Sequence, residues 1–165
     1  MEQLSFITGW IRVAVAGETV DRRTIDPTHI EQMGKNYDPE LYTALIWVEH
    51  LRSLFPDGAF KSVGRVVATK AEQITSGTMK GLTALYVKLA PAPELLQLVR
   101  SGQKLFTSVE INPRMPVVKG AYLMGLAVTD SPASIGTSLL KFSKNHEHLY
   151  SSSLAEPLRL RAEFL

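Results

Sequence analysis

Stretches of alternating or continuous apolar residues, each ended by a turn, most strongly limit the folds open to this chain. Alternation with a period of two places every second side chain on one face of an extended segment, so these stretches predict strands with a buried face. They are Phe6–Ala16, Ala44–Val48, Ser62–Ile74, Leu82–Ala90, Lys104–Pro113 and the run from Ala121 to Thr129. A chain with at least six such segments is expected to form a sheet around one core.

Helical signals are found between the predicted strands. Asp26 can cap the amides of a first turn and Pro27 suits the first helical position, so a helix is predicted from there towards Lys35. Residues 93–102 have apolar side chains at helical spacing and end at a glycine. A further helix is predicted at Ser138–Lys144. Helices and strands together predict an α+β fold with a closed or nearly closed sheet.

The length of 165 residues suits one domain. Its pattern weakens after Asn145, so a domain is expected over residues 1–145 and a linker or tail over residues 146–165. The net charge of +2 and the scattered basic residues give no reason to expect a nucleic-acid partner.

The residue types present also exclude several kinds of chemistry. The chain has no Cys, which excludes disulfides and thiol nucleophiles, and its four His residues match no zinc signature. No cofactor is therefore expected. No apolar run is long enough to cross a bilayer and no signal peptide is recognisable, so a soluble intracellular protein without a membrane partner is predicted.

One predicted strand presents a serine that could carry chemistry. In KLFTSVEINP, Ser108 shares a face with Phe106, Glu110 and Asn112. A small polar residue on a solvated face is the commonest explanation of such a serine. Its hydroxyl becomes a useful nucleophile only if a base takes its proton and a third group orients that base. The chemical interpretation therefore depends on a histidine and an acid elsewhere.

His50 is the candidate base because it follows an apolar strand and so lies at a strand end. The other histidines are less suited to this role. His29 lies on the first predicted helix, and His146 and His148 lie in the polar tail, so neither environment is expected to hold a ring rigidly. A histidine taken without other evidence more often has a structural role.

Four acids compete for the third role: Asp21, Glu49, Glu110 and Asp130. Glu49 would point away from the histidine if its segment stays extended, and Glu110 also fits a solvated strand face. Asp21 and Asp130 lie where strands end, and catalytic groups gather at such positions, although a turn cap is commoner. Spacing alone does not choose among them.

These residues lie in longer strings that resemble a known family. VDRRTIDPTHIEQM, YDPELYTALIWVEHLRSLFPDGAF, KLFTSVEINP and YLMGLAVTDSPASIGT resemble, in this order, the GPO family of phage capsid scaffolding proteins, over nearly all of Phe6–Lys141. The resemblance implies an amino-terminal serine peptidase with a small, mostly antiparallel β-barrel surrounded by helices, similar to herpesvirus proteases. Full-length members continue into a helical scaffolding region, so the chain that stops at Leu165 is expected to lack scaffolding activity.

Carried over motif by motif, the resemblance implies a triad of Asp21, His50 and Ser108. These are the Asp after the first strand, the His of an EHL motif and the Ser of a TS-[VIM]-E motif. More distant capsid proteases take their third member from a strand after the nucleophile, which makes Asp130 the alternative. The sequence does not identify the oxyanion hole, for which residues 132–136 are the place to look.

The implied activity is an endopeptidase that cuts itself, the scaffold and the capsid precursors during prohead maturation, inside the procapsid in the host cytoplasm. The major capsid protein and the scaffold would be its substrates. The resemblance also suggests that two copies of the chain could form a homodimer. The alternative is a non-catalytic module that docks on capsid protein through an apolar surface. The joint presence of Asp21, His50 and Ser108 argues against that alternative, because a binding module needs none of the three.

Overall fold

Strands predominate in the described part of the chain, in which two helices interrupt the series of strands. The computed structural model describes residues 4–142, 148–151, 158–159 and 161–164, with side chains for residues 6–140. In chain order the elements are β1 (Leu4–Ile7), β2 (Ile11–Val15), β3 (Gly17–Glu18), β4 (Thr24–Ile25), α1 (Pro27–Asn36), β5 (Leu45–Val48), β6 (Gly64–Gln73), β7 (Thr83–Pro91), α2 (Pro93–Arg100), β8 (Phe106–Met115), β9 (Gly120–Thr129), β10 (Leu140–Phe142), β11 (His148–Ser151), β12 (Leu158–Arg159) and β13 (Arg161–Phe164).

A curled sheet of six strands, in the order β2-β7-β6-β5-β9-β8, forms the centre of the molecule. Its neighbouring strands run antiparallel, except that β5 and β9 run parallel. The two edge strands, β2 and β8, contact each other, which gives the sheet the shape of a half-barrel. The predicted α+β class is therefore confirmed, whereas the mostly antiparallel β-barrel surrounded by helices, similar to herpesvirus proteases, stays a prediction.

Helix α1 begins where the sequence predicts it. The Asp26 carboxylate accepts a hydrogen bond from the Thr28 amide at 2.8 Å, and Pro27 occupies the first turn. The helix packs on β6, β7 and β9 and buries Ile30 and Met33. Helix α2, also predicted, buries its apolar side in the same way. No helix in the described part of the chain is both long and apolar enough to cross a membrane.

Tyr122, which is buried, and Tyr37, which is half-buried, fix the segment that leads into β5. The Tyr122 hydroxyl lies 2.6 Å from the carbonyl oxygen of Asp38 and 2.7 Å from that of Tyr42. The Tyr37 hydroxyl donates to the Val66 carbonyl at 2.7 Å and accepts from the Ala44 amide at 2.9 Å. Because burial removes water from these groups, the hydrogen bonds to the backbone hold the entry to β5 in one position.

Two sequence predictions are wrong in part. The expected strand Phe6–Ala16 is broken after Ile7 and resumes at Ile11. The expected helix Ser138–Lys144 is absent over its described residues, 138–142, and Leu140–Phe142 is strand β10. The Leu140 amide donates to the Leu105 carbonyl at 2.7 Å, so this backbone bonds to a distant segment rather than within a helix. Residues 143 and 144 lie outside the described residues.

The carboxyl-terminal segment contains strands that the sequence pattern did not predict. Strand β11 pairs with β10 and β12, and β13 pairs antiparallel with β1 near the start of the chain. The expectation that residues 146–165 are a linker or tail is not tested by these pairings and stays a prediction.

Candidate active site

Ser108 lies on β8, at the edge of the six-stranded sheet. It pairs with Ala127 of β9, and Glu110 pairs with Gly125, so the pleat keeps the serine and the glutamate on one face as predicted. Ser108 is 8% exposed, and its hydroxyl has no hydrogen-bond partner among the described residues.

Ser108 lines a cavity of about 170 Å³. The β3–β4 hairpin contributes Thr19 and Arg23 to its wall, α1 contributes His29, and the segment after β9 contributes Ser134. The sequence reasoning set His29 aside, because a helix position alone does not reveal which strand edge the side chain lies near. Ser134 falls within residues 132–136, the segment in which an oxyanion hole was sought.

His50 lies two residues after the end of β5, in a turn with an unusual backbone. Glu49 has φ of 54° and His50 has φ of 61°, in the left-handed region that non-glycine residues rarely adopt. The turn is closed by a hydrogen bond from the Leu51 amide to the Val48 carbonyl at 3.0 Å. The Glu49 amide also donates to the Val128 carbonyl at 3.1 Å, which ties the turn to β9.

The Glu49 carboxylate is fixed by a small ionic network. The Thr129 hydroxyl lies 2.5 Å from Glu49 Oε1, and Lys104 Nζ lies 3.4 Å from the same oxygen. Asp130 accepts from the Lys104 amide at 2.9 Å and from its ammonium group at 2.8 Å. The Thr129 hydroxyl, and then Lys104, lower the pKa of Glu49, and Lys104 lowers the pKa of Asp130. The ammonium pKa of Lys104 is raised by Asp130 and then by Glu49.

The acid that contacts His50 is Glu110. The His50 Nδ1 atom lies 2.6 Å from Glu110 Oε2, and Arg52 Nη2 forms an ion pair with the other oxygen, Oε1. The Arg52 guanidinium also lies over the Trp47 ring, 4.8 Å from the ring centroid. Glu110 was one of four acids that spacing could not rank, and its contact with a residue 60 positions away gives no local signal.

Asp21 has other partners. It lies in the turn between β3 and β4, where its carboxylate accepts from the Thr19 hydroxyl and, at 2.8 Å, from Arg23 Nε. The Thr19 hydroxyl and, to a smaller extent, Arg23 lower the pKa of Asp21. The structure thus places the Asp21 hairpin beside the Ser108 cavity. Within the described residues, no hydrogen bond joins His50 to Asp21, Asp130 or Ser108.

A serine on an edge strand and a carboxylate-bound histidine at a strand end are the kinds of group on which serine hydrolases depend. The chain belongs to the family described as GPO serine peptidase, N-terminal domain, whose family model matches residues 8–145. The membership expected from the sequence strings is confirmed.

Comparison with curated proteins agrees with this family. The chain is 41% identical over 143 residues to the capsid assembly scaffolding protein of Escherichia phage P2. The match covers 86% of this chain and 50% of that relative, so the chain spans half the length of the protein it matches. No solved structure matches the chain.

Proposed function

We propose that this domain is a serine endopeptidase of phage capsid assembly. The supporting observation is the His50 ring, whose Nδ1 is bound to a carboxylate while its Nε2 has no partner in the described residues. An imidazole held in this way can accept a proton at Nε2. Family membership and the unbonded Ser108 hydroxyl on the edge strand β8 supply the nucleophile for the same chemistry.

The proposed reaction follows the general serine peptidase scheme. Ser108 Oγ attacks the scissile carbonyl while His50 Nε2 takes its proton. The ring then gives this proton to the leaving amine, and a water molecule, activated in the same way, releases the acyl group from Ser108. Since catalytic hydrogen bonds often shorten only when substrate is bound, the unbound Ser108 and His50 side chains are expected to meet in the complex.

The third member of the triad is Asp21 by resemblance to the family, and Asp130 is the alternative. Both assignments remain predictions, because each carboxylate bonds to a cation of its own, Arg23 or Lys104. We expect Asp21→Asn to lower the rate at least about a hundredfold and Asp130→Asn to lower it less.

The proposed substrates are the chain itself, the scaffold and the capsid precursor, cut inside the procapsid in the host cell during prohead maturation. The support is the relative from phage P2, which is named a capsid assembly scaffolding protein. A protease that is also part of the scaffold would be enclosed with its substrates, which would limit cleavage to that compartment.

A fluorophosphonate probe, which reacts with activated serines, tests the activity without a known substrate. Intact-mass analysis is expected to show one phosphonyl group on the wild-type chain and none on Ser108→Ala. The control is Ser76→Ala, which removes an exposed hydroxyl from the turn between β6 and β7 and is expected to leave labelling unchanged. Labelling that is absent in the wild type, or equal in wild type and Ser108→Ala, would falsify the proposal.

One observation favours the non-catalytic docking module as the second candidate. The segment after His50 exposes the apolar residues Leu51, Leu54, Phe55 and Phe60, and Leu54 is 95% exposed. Exposed apolar residues grouped in this way often mark a protein-binding surface. An unreactive wild-type chain that binds capsid precursor, and loses this binding in a Leu54→Ser, Phe55→Ser double variant, would support the docking module.

A further inference from the structure

We propose that Glu110 is the positioning residue that holds the His50 ring for catalysis, with Arg52 and Gly125 fixing its carboxylate in place. This inference rests on the proposed peptidase function and names the orienting acid of that same site. It differs from the assignment by family resemblance, which gives the role to Asp21.

The first support is the contact itself. A carboxylate 2.6 Å from Nδ1 is an acceptor that keeps the proton of a neutral ring on Nδ1, which leaves Nε2 as the basic nitrogen. The Glu110 side chain is 19% exposed and the His50 side chain is 42% exposed. The carboxylate is therefore more shielded from water than the ring, so the ring remains open to a substrate while its partner stays fixed.

The second support is the gap that β9 leaves for this carboxylate. Gly125 lies opposite Glu110 in the strand pairing, between β8 and β5. A Cβ atom on Gly125 would lie 2.5 Å from Glu110 Oε1 and 3.0 Å from its carboxyl carbon. No real Cβ contact is that short, so any other residue at position 125 would displace the carboxylate. The absent side chain lets Glu110 reach across β9 towards His50.

The third support is the division of the two carboxylate oxygens. Arg52 binds Oε1 and His50 binds Oε2, so neither partner competes for the other's acceptor. Arg52 is itself held over the Trp47 ring by a cation–π contact. Two partners on different oxygens fix both the position of the carboxyl group and its rotation.

The remaining acids of the region are engaged elsewhere. Glu49 is bound by Thr129 and Lys104, Asp130 by Lys104, and Asp21 by Thr19 and Arg23. Among the described residues, Glu110 is the one acid within hydrogen-bonding distance of a histidine ring.

The test that does not depend on activity measures the tautomer of His50 by ¹⁵N NMR of a histidine-labelled chain, at a pH where the ring is neutral. We expect the proton on Nδ1 in the wild type, in Asp21→Asn and in Asp130→Asn. Glu110→Ala and Gly125→Ala are both expected to lose this preference. The control Glu72→Ala removes another strand carboxylate, paired with Lys70, and is expected to keep it. A wild-type ring protonated on Nε2, or a preference lost in Asp21→Asn, overturns the inference.

The kinetic test separates positioning from folding. We expect Glu110→Ala to lower the maximal rate of phosphonylation by the fluorophosphonate about a hundredfold, with the probe concentration for half-maximal rate changed less than about twofold, because the residue acts through His50 rather than on the probe. Glu110→Gln keeps the shape of the side chain and serves as a variant that is less prone to misfold. Its reaction rate is expected to lie between those of the wild type and Glu110→Ala. A cooperative thermal unfolding transition is the check that each variant is folded.

The outcomes of the two tests can be told apart. If the wild type reacts with the fluorophosphonate and Glu110→Ala reacts equally fast, the inference fails and the proposed function stands. If the wild type is unreactive but keeps the proton on Nδ1, the proposed function fails while the His50–Glu110 pair is supported.

Discussion

Glu49 and His50 are consecutive residues with positive φ angles, and both lie next to fixed charges. Such conformations cost on the order of 1–3 kcal/mol each and persist only where surrounding contacts hold them. Here the Glu49 side chain is bound by Thr129 and Lys104, so the residue before the candidate base is anchored to β9 and to the segment before β8. The backbone strain and the anchoring contacts therefore occur at the same residue.

The lowered pKa of Glu49 predicts a dependence of stability on pH. A carboxyl whose pKa is lower in the folded state stabilises the fold above its ordinary pKa of 4.5, and this stabilisation is lost as pH falls through the lower, folded-state value. Because the side chain is 36% exposed, water and salt screen the effect. We expect Glu49→Gln to lower Tm at pH 7 by no more than about 4 °C.

Thermal unfolding from pH 7 to pH 3 measures this effect. The difference in Tm between wild type and Glu49→Gln is expected to shrink as pH falls from 4.5 through the lowered folded-state pKa of Glu49, below which both side chains are uncharged. Glu40→Gln, at an exposed residue in the turn before β5, serves as the matched control and is expected to show no such change. A constant difference between wild type and Glu49→Gln at every pH would contradict the assigned role of the network.

At the scale of elements, the tyrosine-bound segment before β5 determines where the candidate base lies. Tyr122 of β9 binds carbonyl groups of Asp38 and Tyr42, and burial raises the pKa of its hydroxyl. Strand β5 starts three residues after Tyr42 and ends two residues before His50. A change in this segment would therefore be carried through a short strand to the site.

Tyr122→Phe tests that connection. Removing a fully buried hydroxyl leaves backbone groups without a partner, so we expect a loss of about 1–3 kcal/mol in the free energy of unfolding, measured by urea titration. Hydrogen exchange is expected to become faster in residues 38–44 first. Tyr42→Phe, at an exposed ring, is the control and should change stability by less than about 0.5 kcal/mol. Equal effects of the two substitutions would show that the buried hydroxyl does not hold the segment.

Local elements could be predicted from the sequence, whereas contacts between distant segments could not. The cap at Asp26, helix α2 and the β6–β7 hairpin each depend on residues close in the chain. The parallel pairing of β5 with β9 joins residues about 80 positions apart, which no periodicity reveals. The same limit explains why a helix was predicted where strand β10 lies. The Leu140 amide bonds to the carbonyl of Leu105, the residue before β8, and not to a residue within a helical turn.

At the scale of the whole molecule, the buried apolar side chains among residues 6–140, whose side chains the structure describes, extend from Ile11 to Leu140. Helix α1 and the six-stranded sheet supply most of it, and the family model ends at residue 145. We expect a chain of residues 1–142 to unfold cooperatively and to keep its reaction with the fluorophosphonate, although β1 loses its pairing with β13. Circular dichroism melting measures the first property and intact mass the second. A non-cooperative transition would place the carboxyl-terminal strands inside the folding unit.

The sequence predicted where single residues of the site lie, but not which of them contact each other. Ser108 and Glu110 were placed on one face by alternation, and His50 was placed at a strand end. The partner of His50 could not be chosen, because a strand carboxylate and a turn carboxylate look equally suitable in a linear chain. That choice depends on strand order, which is a property of the complete sheet.

Gly125 links two positions that are far apart in the chain. Its missing side chain is the space that the Glu110 carboxylate occupies, so a larger residue at 125 is compatible only with a shorter or differently directed side chain at 110. The two positions are therefore expected to covary: relatives that keep the glutamate should keep the glycine, and those that lose one should have lost the other. Such paired variation would be sequence evidence that the Glu110 side chain crosses β9 at Gly125.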